Sequence, residues 1–187
     1  MQPSGSPKKA VFLDRDGVIN RAPIIAGIPQ SPKSLHELEI NNGVEEAINL
    51  LRKKGFELVV VTNQPDIARG KLNSDVLTRI HESIANKTGV KHFFSCIHDE
   101  IQNCECRKPK PGLILQATSQ LNLDLKRSFL VGDRWKDIQA GQTAGCTCFF
   151  IDYGYDEAVP QRPYYKVASL LEAAIFIGEN YGVDKSK

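Results

Sequence analysis

The chain has 187 residues, of which 41% are hydrophobic and 25% are charged, as is usual for a globular protein with one core. A net charge of +2 is too small to predict binding to nucleic acid or to a membrane surface. No apolar run is long enough to span a membrane, and residues 1–9 contain no apolar signal segment. We therefore expect a cytoplasmic monomer with one domain, 1–187, and a flexible lead-in at 1–9.

Apolar patterns predict strands that alternate with helices along most of the chain. The predicted strands are 10–13, 57–62, 92–94, 128–131 and 146–151. The predicted helices are 43–54, 74–87, 111–121, 135–144 and 169–179. Between them, the proline-rich residues 21–38 are expected to form an irregular flap with room for a short hairpin, and 181–187 a frayed tail. Such alternation predicts an α/β fold with a doubly wound, mostly parallel sheet and helices on both faces.

Two aspartates directly follow the first predicted strand. Asp14 and Asp16 are one residue apart and precede Gly17. Ligands of open α/β sheets bind at the carboxyl ends of strands, where paired carboxylates serve a cation or a reaction. One of the two could act as a nucleophile while the other moves a proton. A surface turn is the alternative, because aspartate and glycine are common in turns.

Two later segments offer groups that suit an anionic ligand. Thr62, Asn63 and Gln64 end the second predicted strand, where a hydroxyl and two amides could donate hydrogen bonds. Arg107 and Lys108 precede the third predicted helix, in a stretch whose prolines restrict the backbone. The alternatives are an ordinary helix cap for the first segment and a solvated basic loop for the second.

A further acidic pair follows the fourth predicted strand. Asp133 and Asp137 are four residues apart, which returns both to one side of an opening helix, and Arg134 stands between them. Carboxylate oxygens suit Mg²⁺, which binds one or two carboxylates together with substrate phosphate. A capping aspartate and a surface charge are the alternative.

A cluster of cysteines predicts a structural zinc site at 96–106. Five cysteines are an odd number, which argues against a framework of disulfides. Four zinc ligands, three thiolates and one imidazole, fall in this one loop: Cys96, His98, Cys104 and Cys106. Four ligands leave no open position for water, so the expected work of the zinc is to fix the loop that leads into Arg107 and Lys108.

Along the chain, a pair of aspartates is followed by a hydroxyl with two amides, then by basic residues, and then by a second pair of aspartates. Motifs in this order resemble those of the haloacid dehalogenase (HAD) superfamily of phosphatases. The resemblance covers residues 11–151 and is closest to the subfamily of histidinol-phosphatases and D-glycero-D-manno-heptose 1,7-bisphosphate 7-phosphatases. It implies that Asp14 is the nucleophile, which forms an aspartyl-phosphate. It further implies that Asp16 protonates the leaving alcohol and then activates water.

The resemblance also implies the partners of the phosphate and of the metal. Thr62 and Lys108 would hold the phosphoryl oxygens. Asp14, the backbone carbonyl of Asp16, and Asp133 would bind Mg²⁺, with Asp137 in the layer behind them. The remaining predicted phosphate-binding residues are Asn63, Gln64, Arg107 and Arg134, and the last of these could bind a second phosphate bidentately.

We therefore expect an Mg²⁺-dependent phosphomonoesterase that acts on a small phosphorylated metabolite. Heptose 1,7-bisphosphate, losing its 7-phosphate, is the first expectation, histidinol phosphate the second, and a nucleic-acid 3′-phosphate a distant third. The segments between the motifs are too short for a large cap domain, and residues 21–30 are expected to influence substrate choice. A receiver-type phospho-acceptor domain and a zinc-organised nucleic-acid-binding module are the alternatives from other classes.

Overall fold

The structure is a computed structural model that describes residues 5–181. Eight strands occur in this part of the chain: β1 (Ala10–Leu13), β2 (Ile24–Ile25), β3 (Ile28–Pro29), β4 (Glu57–Asn63), β5 (His92–Cys96), β6 (Phe129–Gly132), β7 (Thr147–Ile151) and β8 (Tyr165–Val167). Six of them form one parallel sheet in the order β5-β4-β1-β6-β7-β8, and β2 and β3 form a separate antiparallel hairpin.

Helices cover both faces of this sheet. They are α1 (Val44–Lys53), α2 (Ser74–Thr88), α3 (Gly112–Leu121), α4 (Trp135–Ala144) and α5 (Leu170–Asn180). Alternate residues of β1 enter different cores: Val11 and Leu13 pack with α1, α2 and α5, and Ala10 and Phe12 pack with α3 and α4. A strand that is buried on both faces needs a continuous apolar run, and β1 has one. The predicted doubly wound fold is confirmed.

The order of the strands creates a crevice beside β1. The chain runs from β1 outward through β4 to β5, and then crosses to β6 on the other side of β1. Loops that follow β1, β4 and β6 therefore meet at one edge of the sheet, which is where ligands bind in open α/β folds. The hairpin of β2 and β3 belongs to the loop after β1, so the predicted flap lies at this edge.

Apart from shifts of one residue at strand ends, two strands of the six-stranded sheet differ from the sequence prediction. β8 was not predicted, because it has three residues, lies at the sheet edge and gains its pairing from β7 alone. β5 extends two residues further than predicted, since Ser95 and Cys96 pair with Thr62 and Asn63 of β4. The extension places Cys96, the first predicted zinc ligand, at the same edge as the crevice.

The ends of the chain are only partly described. Residues 1–4 of the predicted flexible lead-in and 182–187 of the predicted frayed tail lie outside the described residues. Lys8 is anchored, because its main chain donates to Asn122 at 2.9 Å and accepts from Asp124 at 2.8 Å. Among the helices of residues 5–181, none has the length and apolar character that crossing a membrane requires.

We predict that Gly112→Ala destabilises the protein and that Gly178→Ala does not. A Cβ at Gly112 would collide with the main-chain oxygen of Glu105, in the loop that packs on the start of α3. A Cβ at Gly178 would meet its nearest neighbour, a methyl of Leu50, at 3.4 Å. Urea unfolding should show a loss of about 1–3 kcal/mol for the first variant. Equal stability of the two variants would contradict this packing.

Candidate active site

A buried lysine lies at the centre of the crevice. The Nζ atom of Lys108 is 2.8 Å from Oδ1 of Asp14, 2.6 Å from Oδ1 of Asp137 and 2.8 Å from the carbonyl oxygen of Val61. Burial lowers the pKa of Lys108, but the charges of Asp137 and Asp14 outweigh burial and raise it overall. The ammonium group is therefore charged, and it faces the edge of the sheet where Asp14 follows β1.

The main chain of Lys108 is held by Asn63, the last residue of β4. The side-chain Nδ2 of Asn63 donates to the carbonyl oxygen of Lys108 at 3.0 Å, and Oδ1 accepts from the Lys108 N–H at 3.1 Å. Both polar ends of the Asn63 amide are thus engaged. These bonds position Lys108. Asn63 also lines the small cavity beside Asp14 and Lys108, and its Nδ2 carries a second hydrogen, so its contact with phosphate stays a prediction.

Three buried carboxylates lie together at this lysine, which contacts two of them. Asp14, Asp133 and Asp137 each offer an oxygen, and these oxygens lie within 4.8 Å of one another. The pKa of Asp14 is raised to about 6, mainly by burial, although the charge of Lys108 opposes the shift. Burial, followed by the charges of Asp14 and Asp137, also raises the pKa of Asp133. Three carboxylates against one ammonium leave the cluster short of positive charge.

The cluster fits a divalent cation. Oδ1 of Asp133 is buried and has no hydrogen-bond partner among residues 5–181. Its Oδ2 accepts from the hydroxyl of Tyr155 at 2.7 Å, a contact that the sequence did not predict. A Cβ at Gly17, whose φ is +86°, would collide with this carboxylate, so glycine is needed for the close approach. An unpaired buried carboxylate oxygen beside Asp14 matches the ligands that Mg²⁺ prefers.

The second aspartate of the first motif has a different environment. Oδ1 of Asp16 accepts from Arg15 Nε at 3.0 Å and from Asn20 at 2.9 Å. Its Oδ2 accepts from Arg15 Nη2 at 2.8 Å, from Ser31 at 2.7 Å and from Gln64 at 2.9 Å. Burial alone would raise the pKa of Asp16, but Arg15 and the other donors lower it overall. Asp16 is therefore held as a carboxylate, and Ser31 is a contact that the sequence prediction missed.

Gln64 links this carboxylate to the end of β4. Its Nε2 atom also donates to the hydroxyl oxygen of Thr62 at 2.9 Å, and both side chains are buried. Thr62 lines the same small cavity as Asp14 and Lys108. The structure thus brings the predicted Thr62 and Lys108 together, while Gln64 lies behind Thr62 and Asp16.

A basic rim, which comprises Arg107, Arg134 and Lys136, lines the neighbouring cavity of about 200 Å³. Lys136 donates to Glu100 at 2.8 Å, and Arg107 lies 3.3 Å from the same oxygen. Arg134 forms an ion pair with Glu157. Lys136 was not predicted from the sequence. Its position in the first turn of α4, three residues after Asp133, was the signal that could have found it.

The four predicted zinc ligands converge at the end of β5. Their contacts are 3.5 Å for Cys96–Cys104, 3.2 Å for Cys96–Cys106, 3.4 Å for Cys104–Cys106 and 3.3 Å between Cys106 Sγ and His98 Nδ1. Disulfide sulfurs would be about 2.05 Å apart. Zn–S bonds of about 2.3 Å place tetrahedral ligands roughly 3.8 Å apart, so the set is compatible with zinc.

The sequence profile of the haloacid dehalogenase-like hydrolases matches residues 30–145. The chain belongs to this hydrolase family. Membership confirms the prediction of a HAD-type phosphatase, and the six-stranded sheet with helices on both faces is the fold that the resemblance implied.

Similar proteins within the HAD-like family share one activity in their names. The chain is 38% identical over 148 residues to the D-glycero-beta-D-manno-heptose-1,7-bisphosphate 7-phosphatase of Pasteurella multocida, which covers 73% of this chain and 77% of that protein. It is 36% identical over 168 residues to the D-glycero-alpha-D-manno-heptose-1,7-bisphosphate 7-phosphatase of Photorhabdus laumondii, covering 81% and 87%. The chain is also similar in structure to the D,D-heptose 1,7-bisphosphate phosphatase of B. bronchiseptica, which was solved in complex with magnesium and phosphate. The TM-score is 0.79 and the sequence identity is 29%, and the match covers 91% of this chain and 98% of that chain.

Lys108→Met is predicted to lose phosphatase turnover by about a thousandfold, because the phosphate would lose a buried cationic donor. It should also lower the free energy of unfolding without metal by about 3–5 kcal/mol, since a buried ion pair loses one partner. Lys110→Met is the matched control: Lys110 pairs with the exposed Glu105 and should be dispensable. Steady-state kinetics in which the two variants turn over equally would remove Lys108 from the site.

Proposed function

We propose that this HAD phosphatase removes the 7-phosphate of D-glycero-D-manno-heptose 1,7-bisphosphate through a phosphorylated Asp14. The observation that carries the proposal is the convergence of Asp14, Asp133 and the Lys108 ammonium group beside a cavity with a basic rim. The names of the similar proteins support this substrate, and they include both anomers.

Mg²⁺ would be held by Asp14, by Asp133 and by the main-chain carbonyl of Asp16. When bound, it offsets the repulsion between the nucleophile and the phosphate and stabilises charge on the phosphoryl oxygens. Asp137 is occupied differently, because one oxygen contacts Lys108 and the other accepts from the N–H of Arg134 at 2.9 Å. Its work is to hold the lysine and the start of α4 in place.

The reaction would proceed in two displacements at phosphorus. A carboxylate oxygen of Asp14 attacks the phosphorus, and the bond to the leaving sugar oxygen breaks. Asp16, which must first take up a proton from solvent, gives that proton to the leaving oxygen and becomes a carboxylate again. A water oxygen then attacks the phosphorus, Asp16 takes a proton from the water, and the bond to Asp14 breaks. Lys108 and the Thr62 hydroxyl donate to the non-bridging oxygens. The carboxylate form in which Asp16 is held is the form that the second displacement requires.

The basic rim would bind the phosphate that is not cleaved. Arginine can bind a phosphate bidentately, and three cations suit a second dianion better than the amine of histidinol phosphate. Glu100 and Glu157 hold the rim without this phosphate. An exposed ion pair such as that of Lys136 and Glu100 contributes only about 0–1 kcal/mol, so a phosphate could replace the carboxylate.

A bound zinc would hold the basic rim at a fixed distance from the nucleophile. Its ligands would be Cys96, His98, Cys104 and Cys106. The last ligand directly precedes Arg107, and Lys108 follows. A rigid loop therefore sets the distance between a rim cation and the cation that contacts Asp14. We propose a structural zinc, because four protein ligands close the coordination shell.

The remaining predictions concern the domain, the oligomeric state, the location and the partners of the protein. A single domain acting as a cytoplasmic monomer on a small phosphorylated substrate, without nucleic acid or membrane, stays our prediction from composition and charge. The small cavity at Asp14 supports a compact substrate.

With Mg²⁺, both anomers of heptose 1,7-bisphosphate should be hydrolysed faster than heptose 7-phosphate or histidinol phosphate.

Arg134→Gln should reduce kcat/KM for the bisphosphate by about 10–100-fold, because a charged hydrogen bond contributes about 1.5–3 kcal/mol. Its kcat/KM for the monophosphate should hardly change, and Arg162→Gln, remote on the loop before β8, is the control. Phosphate release would reveal these differences.

Asp14→Asn should abolish turnover on every one of these substrates. Substantial residual turnover of this variant would contradict the proposed nucleophile. A stable aspartyl-phosphate without phosphate release by the wild type would favour a phospho-acceptor domain.

Metal analysis of the purified protein should find one zinc per chain. Cys104→Ser should lose the zinc and unfold at a lower temperature, because metal-binding free energy contributes to folding. Cys146→Ala, which changes a thiol of the core outside the cluster, should retain it. A folded, active wild type without zinc would contradict the site.

A further inference from the structure

Arg15, which stands between Asp14 and Asp16 in the sequence, is a fully buried cation. Its side chain has no exposed surface, and its Nε and Nη2 atoms form a fork on the two oxygens of Asp16. The third nitrogen, Nη1, lies 3.2 Å from Nε2 of His81. A guanidinium only donates hydrogen bonds, so the imidazole nitrogen must be the acceptor.

The imidazole of His81 is held in its neutral form, which is the form that can accept this bond. Its ring lies on α2 and stacks on Phe93 of β5, with centroids 4.8 Å apart and planes inclined by 21°. Burial, and next the charge of Arg15, lower the pKa of His81 to about 4. The imidazole is therefore neutral at neutral pH, and a protonated ring would face the buried guanidinium with a like charge.

We propose that His81 is a positioning residue for proton transfer: by accepting from Nη1 it fixes Arg15 in the plane in which its fork orients Asp16. The inference rests on the proposed role of Asp16. It assigns a function to a histidine on a helix that contributes no residue to the predicted site.

The energetic reason lies in the burial of Arg15. A buried donor without a partner costs about 1–3 kcal/mol, so loss of His81 would favour rotation of the guanidinium toward another acceptor. Rotation of the planar group would break the two-bond fork on Asp16, because both bonds depend on one plane. Ser31, Asn20 and Gln64 would still hold the carboxylate, but without the charged partner that sets its direction.

Two substitutions at one position test this role. His81→Phe keeps a ring against Phe93 and removes the acceptor, whereas His81→Gln supplies a carbonyl oxygen as a new acceptor. We expect kcat for phosphate release from heptose 1,7-bisphosphate to fall about tenfold in the Phe variant, with KM within about twofold, and to recover largely in the Gln variant. His92→Phe, at a histidine that contacts Glu57 instead, should keep the wild-type kcat.

The controls separate this inference from the proposed function. Thermal unfolding would verify that each variant is folded, and His81→Met repeats the test if the Phe variant is not. A folded Phe or Met variant with wild-type kcat, or a Gln variant no better than the Phe variant, would overturn the positioning role. Asp16→Asn is measured alongside: wild-type turnover there would overturn the proposed proton transfer, whereas loss of turnover there with full activity in the Phe variant would overturn the His81 inference alone.

Discussion

The structure depends on one electrostatic constraint, the burial of three carboxylates beside a single lysine. Asp14, Asp133 and Asp137 lie together because the ends of parallel strands meet at one edge of the sheet. Buried charges are costly unless they are paired and hydrogen-bonded, so Lys108 reaches in from the loop before α3, and Tyr155 caps Asp133. The remaining excess of negative charge is what a divalent cation would balance, and a site tuned to hold a cation is also suited to receive a phosphate.

The same constraint gives the two neighbouring aspartates different electrostatic environments. Asp14 lies among carboxylates, and burial raises its pKa to about 6 despite Lys108. Asp16, two residues later, faces Arg15 and neutral donors, and its pKa is lowered. Divergent surroundings of two titratable groups are the usual basis for assigning different tasks to them. Residues further from the centre hold these charged groups in place. Asn63 holds the main chain of Lys108, His81 contacts Arg15, and the cysteine loop leads into the basic rim.

How much the sequence could predict depended on how local the signal was. Continuous apolar strands and the polar groups at their ends, such as Asp14, Thr62 and Asp133, are local patterns, and the fold and the centre of the site followed from them. β8 was missed because its strand character comes from pairing with β7. Ser31 and Tyr155 were missed because loops carry them into the site, and no local spacing reveals where a loop packs.

Calorimetric titration of the metal-free crevice with Mg²⁺, in zinc-loaded protein at neutral pH, tests the electrostatic account most directly. The wild type should bind one Mg²⁺ per chain. Asp133→Asn, which keeps the shape of the side chain but removes the charge, should not bind at the same concentrations. Asp152→Asn, at a surface carboxylate paired with Lys166, should bind like the wild type. Equal binding by the Asp133 variant, or no binding by the wild type, would contradict the claim that this buried cluster is built around a divalent cation.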